Sequence, residues 1–198
     1  MTTRTVNIAV EGLADVGVAR ALLKASGLAP VDQPYVMNGK GNLNKRIPAF
    51  CNAAAHAPWL VLRDLDRDAL CAGELVADLA PSRPPLLCLR IAVHSAESWL
   101  LADRARIAAF LHVSPALVPV QPDLEVHAKQ VLVGLARKSR RREIWEDMAP
   151  RPGSTARVGP NYTARVNEFA EEVWDPRAAS QASPSLARCL AALARLRG

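Results

Sequence analysis

Short apolar runs alternate with amphipathic stretches over the first hundred residues. A β-branched run at 6–10 precedes helical spacing over 14–26, a weaker strand over 31–37 and a helix over about 42–54. Two further apolar runs, 59–62 and 86–93, flank a helix that ends near residue 79. Buried strands that alternate with helices are typical of a parallel sheet covered on both faces. The pattern predicts an α/β fold with the carboxyl ends of its strands along one edge, where such folds place their sites.

The character of the chain changes after residue 95. A capped helix over 95–103 is followed by helical stretches at 129–142, 163–174 and 185–196, separated by Pro-rich loops. We therefore expect an α/β core over 1–103 and a helical C-terminal extension over 104–198 that packs on it. The alternative is one single domain.

Composition and charge narrow the class of protein. The 198 residues carry a formal net charge of +6, which favours an anionic partner, and nucleic acid, with DNA ahead of RNA, is the leading candidate. An Arg-rich genome explains the same charge. Four scattered cysteines argue against a zinc site or a disulfide scaffold, and the lack of a signal peptide or a long apolar run predicts a cytoplasmic protein without a membrane span.

Acidic residues follow two of the predicted strands. Glu11 comes directly after the first strand, and the run RDLDRD at 63–68 follows the strand at 59–62. Alternate residues of an extended segment share a side, so Asp64 and Asp66 are expected to point at one spot, where a cation would relieve their repulsion. Carboxylate oxygens favour Mg²⁺ or Mn²⁺. Two simpler interpretations stay open: Glu11 meets the dipole of the next helix, and the aspartates pair with the arginines of their own run.

The order of these motifs resembles the Toprim domain of topoisomerases, primases and overcoming-lysogenization-defect nucleases over about residues 5–95. The resemblance rests on the VEG motif at 10–12 and on the Asp-x-Asp motif within RDLDRD. It implies a Toprim-like, Rossmann-type fold in which Glu11 acts as a general acid/base and Asp64 and Asp66 hold Mg²⁺, so these three are the predicted catalytic residues. Leu13 departs from the family pattern, although Asp15 keeps an acid near that position.

A second resemblance extends over nearly the whole chain. The stretch RIAVHSAESWLLAD at 90–103, WDP at 174–176 and SPSLAR at 183–188 are similar to segments of small bacterial Toprim-like proteins of uncharacterised function. Such proteins are often associated with ATPases in phage defence. The resemblance implies an ATPase partner and a role in phage defence for this chain.

Further residues are assigned secondary roles. Asp68 and Glu97 are candidate metal ligands, although Glu97 can instead cap its own helix. Lys40 lies in a Gly-rich loop that lacks the Walker A spacing, and either a phosphate contact or a flexible turn explains it. The predicted substrate-binding residues are Lys40, Lys45, Arg90 and Lys129.

Three hypotheses follow from these patterns. The first is a Mg²⁺-dependent phosphodiester-processing enzyme, a nuclease in its simplest form. The second is a non-catalytic accessory or sensor subunit that keeps the Toprim fold to bind an ATPase or nucleic acid. The third is an enzyme that uses the same site on nucleotides or small phosphoesters.

Overall fold

A parallel β-sheet lies at the centre of the protein. The computed structural model describes residues 3–31 and 33–197, and within them the strands are β1 (Thr5–Val10), β2 (Ala29–Pro30), β3 (Tyr35–Val36), β4 (Trp59–Asp64) and β5 (Leu87–Ala92). The order is β2-β1-β4-β5, with β3 also beside β1, and every pairing among these strands is parallel. The predicted α/β class with a largely parallel sheet is confirmed, and the layout is Rossmann-like.

In place of the weak strand predicted over 31–37, the described residues form two short pieces, of which β2 precedes that range and β3 lies within it. Residue 32 lies outside the described residues, but β2 pairs with the start of β1 and β3 with its end. Pro30 and Pro34 flank the gap between the pieces. Since proline has no N–H to donate, it interrupts a strand ladder, which explains why this edge is discontinuous.

Helices cover both faces of the sheet, as the pattern predicted. The helices are α1 (Asp15–Ala25), α2 (Lys40–Ala53), α3 (Ala72–Leu79), α4 (Ala96–Leu101), α5 (Arg104–Phe110), α6 (Ala128–Ala136), α7 (Arg142–Met148), α8 (Tyr162–Glu168), α9 (Pro176–Ala179) and α10 (Pro184–Leu196). A π-helical turn at Phe169–Val173 continues α8, and short 3₁₀ turns lie at Pro115–Leu117 and Pro122–Leu124.

The alternation of side chains along the strands divides the core in two. Leu60 and Leu62 of β4 join a large cluster with α1, α4, α6, α8 and α10, whereas Trp59 and Val61 join a smaller cluster with α2 and α3. Successive strand residues point to opposite faces, so both faces of β4 are apolar. The helices after residue 103 share the large cluster with the sheet, and the expected boundary near that residue stays a prediction.

Two element boundaries differ from those expected. The loop predicted to end at Asn42 ends three residues earlier, because Gly39 adopts a φ of +116° and α2 begins at Lys40. The helix expected over 129–142 ends at Ala136, and residues 137–141 of the basic run link α6 to α7, which begins at Arg142.

No helix among the described residues combines the length and apolar character needed to cross a membrane.

Candidate functional site

The sheet order creates a crevice at the carboxyl ends of β1 and β4. The chain leaves β1 towards β2 and β3 on one side and then crosses to β4 on the other. Ligands in open parallel sheets bind outside the carboxyl ends of strands at such a switch point. Glu11 follows the last residue of β1, and Asp64 is the last residue of β4, so the topology places both carboxylates at this crevice.

Three carboxylates, which we call the inner carboxylates, lie together below this edge. They are Asp15 at the start of α1, Asp64, and Glu97 in the first turn of α4. Asp15 and Glu97 are 9% and 2% exposed, and the backbone N–H of Gly12 donates to Asp15 Oδ2 at 2.8 Å. The N–H of Ala96 donates to Asp64 Oδ1 at 2.9 Å, which fastens α4 to the end of β4.

Burial and neighbouring charge raise the pKa of two of the inner carboxylates, Asp15 and Asp64. Burial first, and then the charge of Glu97, raise the pKa of Asp15 to about 7. Burial, followed by the charges of Asp15 and Glu97, raises the pKa of Asp64 well above its usual range. Ionised carboxylates that are buried close together are unfavourable without a cation or a proton between them. The inner site is therefore short of positive charge.

Glu11 connects the inner carboxylates to the surface. Burial and the nearby charge of Asp66 raise the pKa of Glu11, while Arg63, the Asp64 backbone and Lys40 oppose the rise. Its own charge acts on Asp15 and Asp64. One of its oxygens, Oε2, is buried without a hydrogen-bond partner among the described residues. A buried acceptor without a donor costs about 1–3 kcal/mol, so this oxygen is suited to a cation or a water molecule.

Two side chains from the helical half of the protein compensate Glu97. The hydroxyl of Tyr162 donates to Glu97 Oε1 at 3.2 Å, and the ammonium of Lys129 lies 3.3 Å from the same oxygen. Burial lowers the pKa of Lys129, but the charges of Glu97, Asp64 and Asp15 outweigh that effect and the net shift is upward. Burial and Glu97 also raise the pKa of Tyr162, so it remains a neutral donor. The Lys129 side chain is 47% exposed, so its ammonium reaches Glu97 from the solvent side.

A second group, which we call the outer cluster, consists of Asp66, Asp68, Lys40 and Arg63. The Lys40 ammonium lies 2.9 Å from Asp66 Oδ2 and 2.9 Å from Asp68 Oδ1. Arg63 is buried, donates from Nε to Asn44 Oδ1 at 3.1 Å, and pairs with Asp68. These cations lower the pKa of Asp68, with Arg63 the larger cause. The outer cluster is thus internally neutralised, unlike the inner carboxylates.

Asp64 and Asp66 do not point at one spot as strand alternation predicted. Asp66 adopts a φ of +50°, a left-handed conformation that ends the extended geometry after Leu65. Its side chain consequently joins Lys40 in the outer cluster, while Asp64 joins the inner carboxylates. The alternative in which arginines of the run neutralise its aspartates is realised for Arg63 and Asp68.

The structure separates the predicted phosphate-contacting residues. Lys40 lies at the acidic edge in the outer cluster, and Lys129 lies beside Glu97. Lys45 is exposed on α2, one turn beyond the start of that helix. Arg90 lies within β5, opposite Leu62 in the strand register, and lines a cavity to which none of the acidic residues contributes.

Sequence reasoning did not assign a site role to Asp15, Arg63 or Tyr162. The sequence did indicate that Asp15 could reach the site, since it lies four residues after Glu11 at the start of the predicted helix. Tyr162 had none, because its contact with Glu97 joins residues 65 positions apart.

The donor set suits a hard divalent cation. Among residues 3–31 and 33–197, no three His, Cys, Asp or Glu side chains are arranged to hold a metal ion between them. Mg²⁺ commonly keeps several waters and takes only one or two carboxylates together with substrate phosphate oxygens. The oxygen donors, the deficit of positive charge and the partnerless Oε2 of Glu11 fit Mg²⁺ or Mn²⁺ bound in that manner.

Comparison of the chain with protein-family models, curated proteins and solved structures finds no match. The resemblance to the Toprim domain therefore rests on the motifs alone and stays a prediction.

Proposed function

We propose that the protein is a Mg²⁺- or Mn²⁺-dependent phosphodiester-processing enzyme, a nuclease in its simplest form, with its active site at the carboxyl ends of β1 and β4. One observation carries the proposal. Asp15, Asp64 and Glu97 lie together at the switch point of a parallel sheet. Burial and mutual repulsion raise the pKa of Asp15 and Asp64, so the site favours the binding of a cation.

Each residue has its own role in the proposed reaction. Asp64 and Glu11 would hold the ion, directly or through water, and the ion would polarise a phosphodiester and lower the pKa of a bound water. Glu11, with its raised pKa and its position at the rim, is suited to take up or deliver a proton. Lys40 lies at the acidic edge beside Asp66 and Asp68, and in this proposal its ammonium would also contact a phosphate of the substrate.

The basic charge of the chain supports a polyanionic substrate. The net charge of +6 coexists with an acidic crevice, so positive charge is spread over the remaining surface. Such a distribution draws nucleic acid to the protein as a whole, while the crevice draws the metal ion. A role in phage defence alongside an ATPase remains part of the proposal and rests on the motif resemblance.

A second candidate function is that of a non-catalytic accessory or sensor subunit. The outer cluster favours it, because Lys40 and Arg63 already neutralise Asp66 and Asp68 without a metal ion. In this alternative the outer cluster stabilises the fold, and the binding of nucleic acid or an ATPase partner is the function.

Nicking of supercoiled plasmid DNA in Mg²⁺ or Mn²⁺ tests the enzymatic proposal. The Asp64→Asn variant keeps an oxygen to accept the Ala96 N–H but loses the charge. We expect at least a hundredfold loss of nicking in this variant, as typical of a lost electrostatic group in an active site. Asp78→Asn, on the exposed face of α3, is the matched control and should nick like the wild type.

Equal nicking by the wild type and Asp64→Asn, both free of host nuclease, would contradict the proposal. Calorimetric titration with Mn²⁺ separates the two candidate functions. A heat of Mn²⁺ binding that the wild type shows and the Asp64→Asn variant lacks supports the metal-dependent enzyme. An absence of metal binding by a protein that still binds nucleic acid supports the accessory role.

A further inference from the structure

A basic cavity lies at the outer edge of the sheet, away from the acidic crevice. It has a volume of about 200 Å³ and is lined by Arg83 before β5, Arg90 and Cys88 within β5, and Arg195 and Leu196 of α10. Successive residues from Leu87 to Arg90 contribute to its wall. Because neighbouring strand residues point to opposite faces, they share a wall only along the edge of a strand. Within the described residues, β4 is the partner of β5, so this edge carries no further strand.

The charges around the cavity are of one sign. None of its lining residues is acidic, and no described carboxylate lies within 4.0 Å of Arg83, Arg90 or Arg195. The end of α10 adds a partial negative charge of about half an electron. Three guanidinium groups exceed that charge several-fold. Arginines elsewhere in the protein, such as Arg63 and Arg165, pair with carboxylates.

Arg90 carries an unsatisfied donor at this place. Its Nε atom is buried and has no hydrogen-bond acceptor among the described residues. Arg90 and Arg195 also act together on the Cys88 thiol, where both oppose the rise in pKa that burial causes. Two of the guanidinium groups are therefore close to one thiol in the cavity wall. Leaving a buried charged donor without an acceptor is unfavourable, and an anion in the cavity would accept a hydrogen bond from it.

The size of the cavity selects the class of ligand. Sites for drug-sized organic ligands usually measure ~300–1,000 Å³. A cavity of about 200 Å³ is below that range but exceeds the space of a few water molecules, at ~30 Å³ each. Planar guanidinium groups match the oxygens of a tetrahedral phosphate in pairs.

We propose that Arg83, Arg90 and Arg195 form a binding site for one phosphate group at the free edge of β5. The site is separate from the acidic crevice and does not depend on the proposed nuclease activity. The phosphate can be a free ion, the terminal group of a nucleotide or part of a nucleic-acid backbone, since all three present the same oxygens to the arginines.

Calorimetric titration at constant ionic strength tests the site with three probes: inorganic phosphate, a nucleoside monophosphate and a short single-stranded oligonucleotide. The variants are Arg195→Gln and Arg83→Gln, because both side chains are exposed and their loss spares the core. We expect each substitution to weaken the binding of the tightest-binding probe about tenfold, through the loss of one charge-assisted contact. The matched control Arg188→Gln, exposed on α10 outside the cavity, should bind like the wild type.

The pattern among the probes identifies the source of the phosphate. Tightest binding of the oligonucleotide indicates a nucleic-acid backbone, and tightest binding of the mononucleotide or of free phosphate indicates a small ligand. Hydrogen exchange should show protection at residues 83–90 and 192–196 with that probe. Failure of all three probes to bind, or equal binding by the wild type and both variants, would overturn the proposal. Loss of plasmid nicking in Asp64→Asn is a separate result and bears only on the proposed function.

Discussion

Replacement of Asp15 by asparagine is expected to stabilise the protein, by an amount that grows as the pH rises from 3.8 to about 7. Asp15 is 9% exposed and lies beside Glu97, and these surroundings raise its pKa from 3.8 to about 7. Each pH unit of difference between the folded and unfolded pKa corresponds to about 1.4 kcal/mol. The ionised side chain therefore costs about 4 kcal/mol at pH 8, as an order of magnitude.

The sign follows from the number of bound protons. Between pH 3.8 and about pH 7 the folded protein holds a proton on Asp15 that the unfolded chain has released. The contribution of Asp15 to the free energy of unfolding falls as the pH rises through this interval and is constant above it. The asparagine of the Asp15→Asn variant would not titrate, and its side-chain oxygen can still accept the Gly12 N–H that Asp15 Oδ2 accepts. The stability difference between variant and wild type should therefore grow with pH and level off above pH 7.

Urea unfolding in metal-free buffer at pH 5, 6, 7 and 8 measures this difference. Asp78→Asn is the control, since Asp78 is exposed on α3 and the difference it produces should be the same at every pH. A difference between Asp15→Asn and the wild type that stays constant from pH 5 to pH 8 would refute the reasoning. It would mean that Asp15 titrates alike in the folded and unfolded chain.

The remaining predictions concern packing and the contacts that hold the site. Gly17→Ala should lower the free energy of unfolding by about 1–3 kcal/mol, because its Cβ would lie 2.9 Å from the α8 backbone. Gly134→Ala, whose Cβ meets nothing within 4 Å, should raise the free energy of unfolding by up to about 1 kcal/mol. Equal losses of stability in the two variants would contradict this packing. Tyr162→Phe removes the hydroxyl that donates to Glu97 and should lower the free energy of unfolding by about 1–3 kcal/mol at pH 8, measured by urea unfolding. An unchanged unfolding midpoint would show that this contact contributes nothing to stability. Arg63→Met should cost about 2 kcal/mol through the loss of its contacts with Asn44 and Asp68. The exposed Arg67→Met should change stability by less than about 0.5 kcal/mol, and thermal unfolding compares the two variants. Mg²⁺ at a hundredfold excess over its dissociation constant should stabilise the wild type by about 2.7 kcal/mol and the Asp64→Asn variant by much less, and equal stabilisation would place the ion elsewhere.

The sheet and the position of two acidic residues could be predicted from the sequence. The apolar run that became β4 is buried on both faces, and a run of this kind between helical patterns has few places other than the interior of a parallel sheet. Glu11 and Asp64 follow such runs directly, so strand direction alone brings them to one edge. The predicted helices on both faces follow from the same alternation.

The membership of the site could not be predicted in the same way. Asp66 lies two residues after Asp64, yet its positive φ directs it to Lys40 instead of the inner carboxylates. Strand alternation holds only while the backbone stays extended, and the sequence does not state where the extension stops. Glu97 was a candidate ligand, but its two compensating partners come from helices that follow later in the chain.

The neighbours of Arg90 could not be predicted from the sequence either. The sequence placed it among the phosphate-contacting residues at the acidic edge, and its strand register places it two residues short of the end of β5. Its neighbours are Arg83 and Arg195, more than a hundred residues apart from each other. Only the packing of α10 on β5 brings these charges into one cavity.

The sequence by itself determined the class of fold and the edge at which acidic residues collect, because apolar periodicity and strand direction are local properties of the chain. The tertiary structure alone decided which charges meet. It divided the acidic run between a neutralised outer cluster and the buried inner carboxylates, and it supplied Asp15, Lys129 and Tyr162 to the latter. The physical reason is that the pKa and pairing of a charged group depend on burial and on neighbours within a few ångströms, and helix packing sets both.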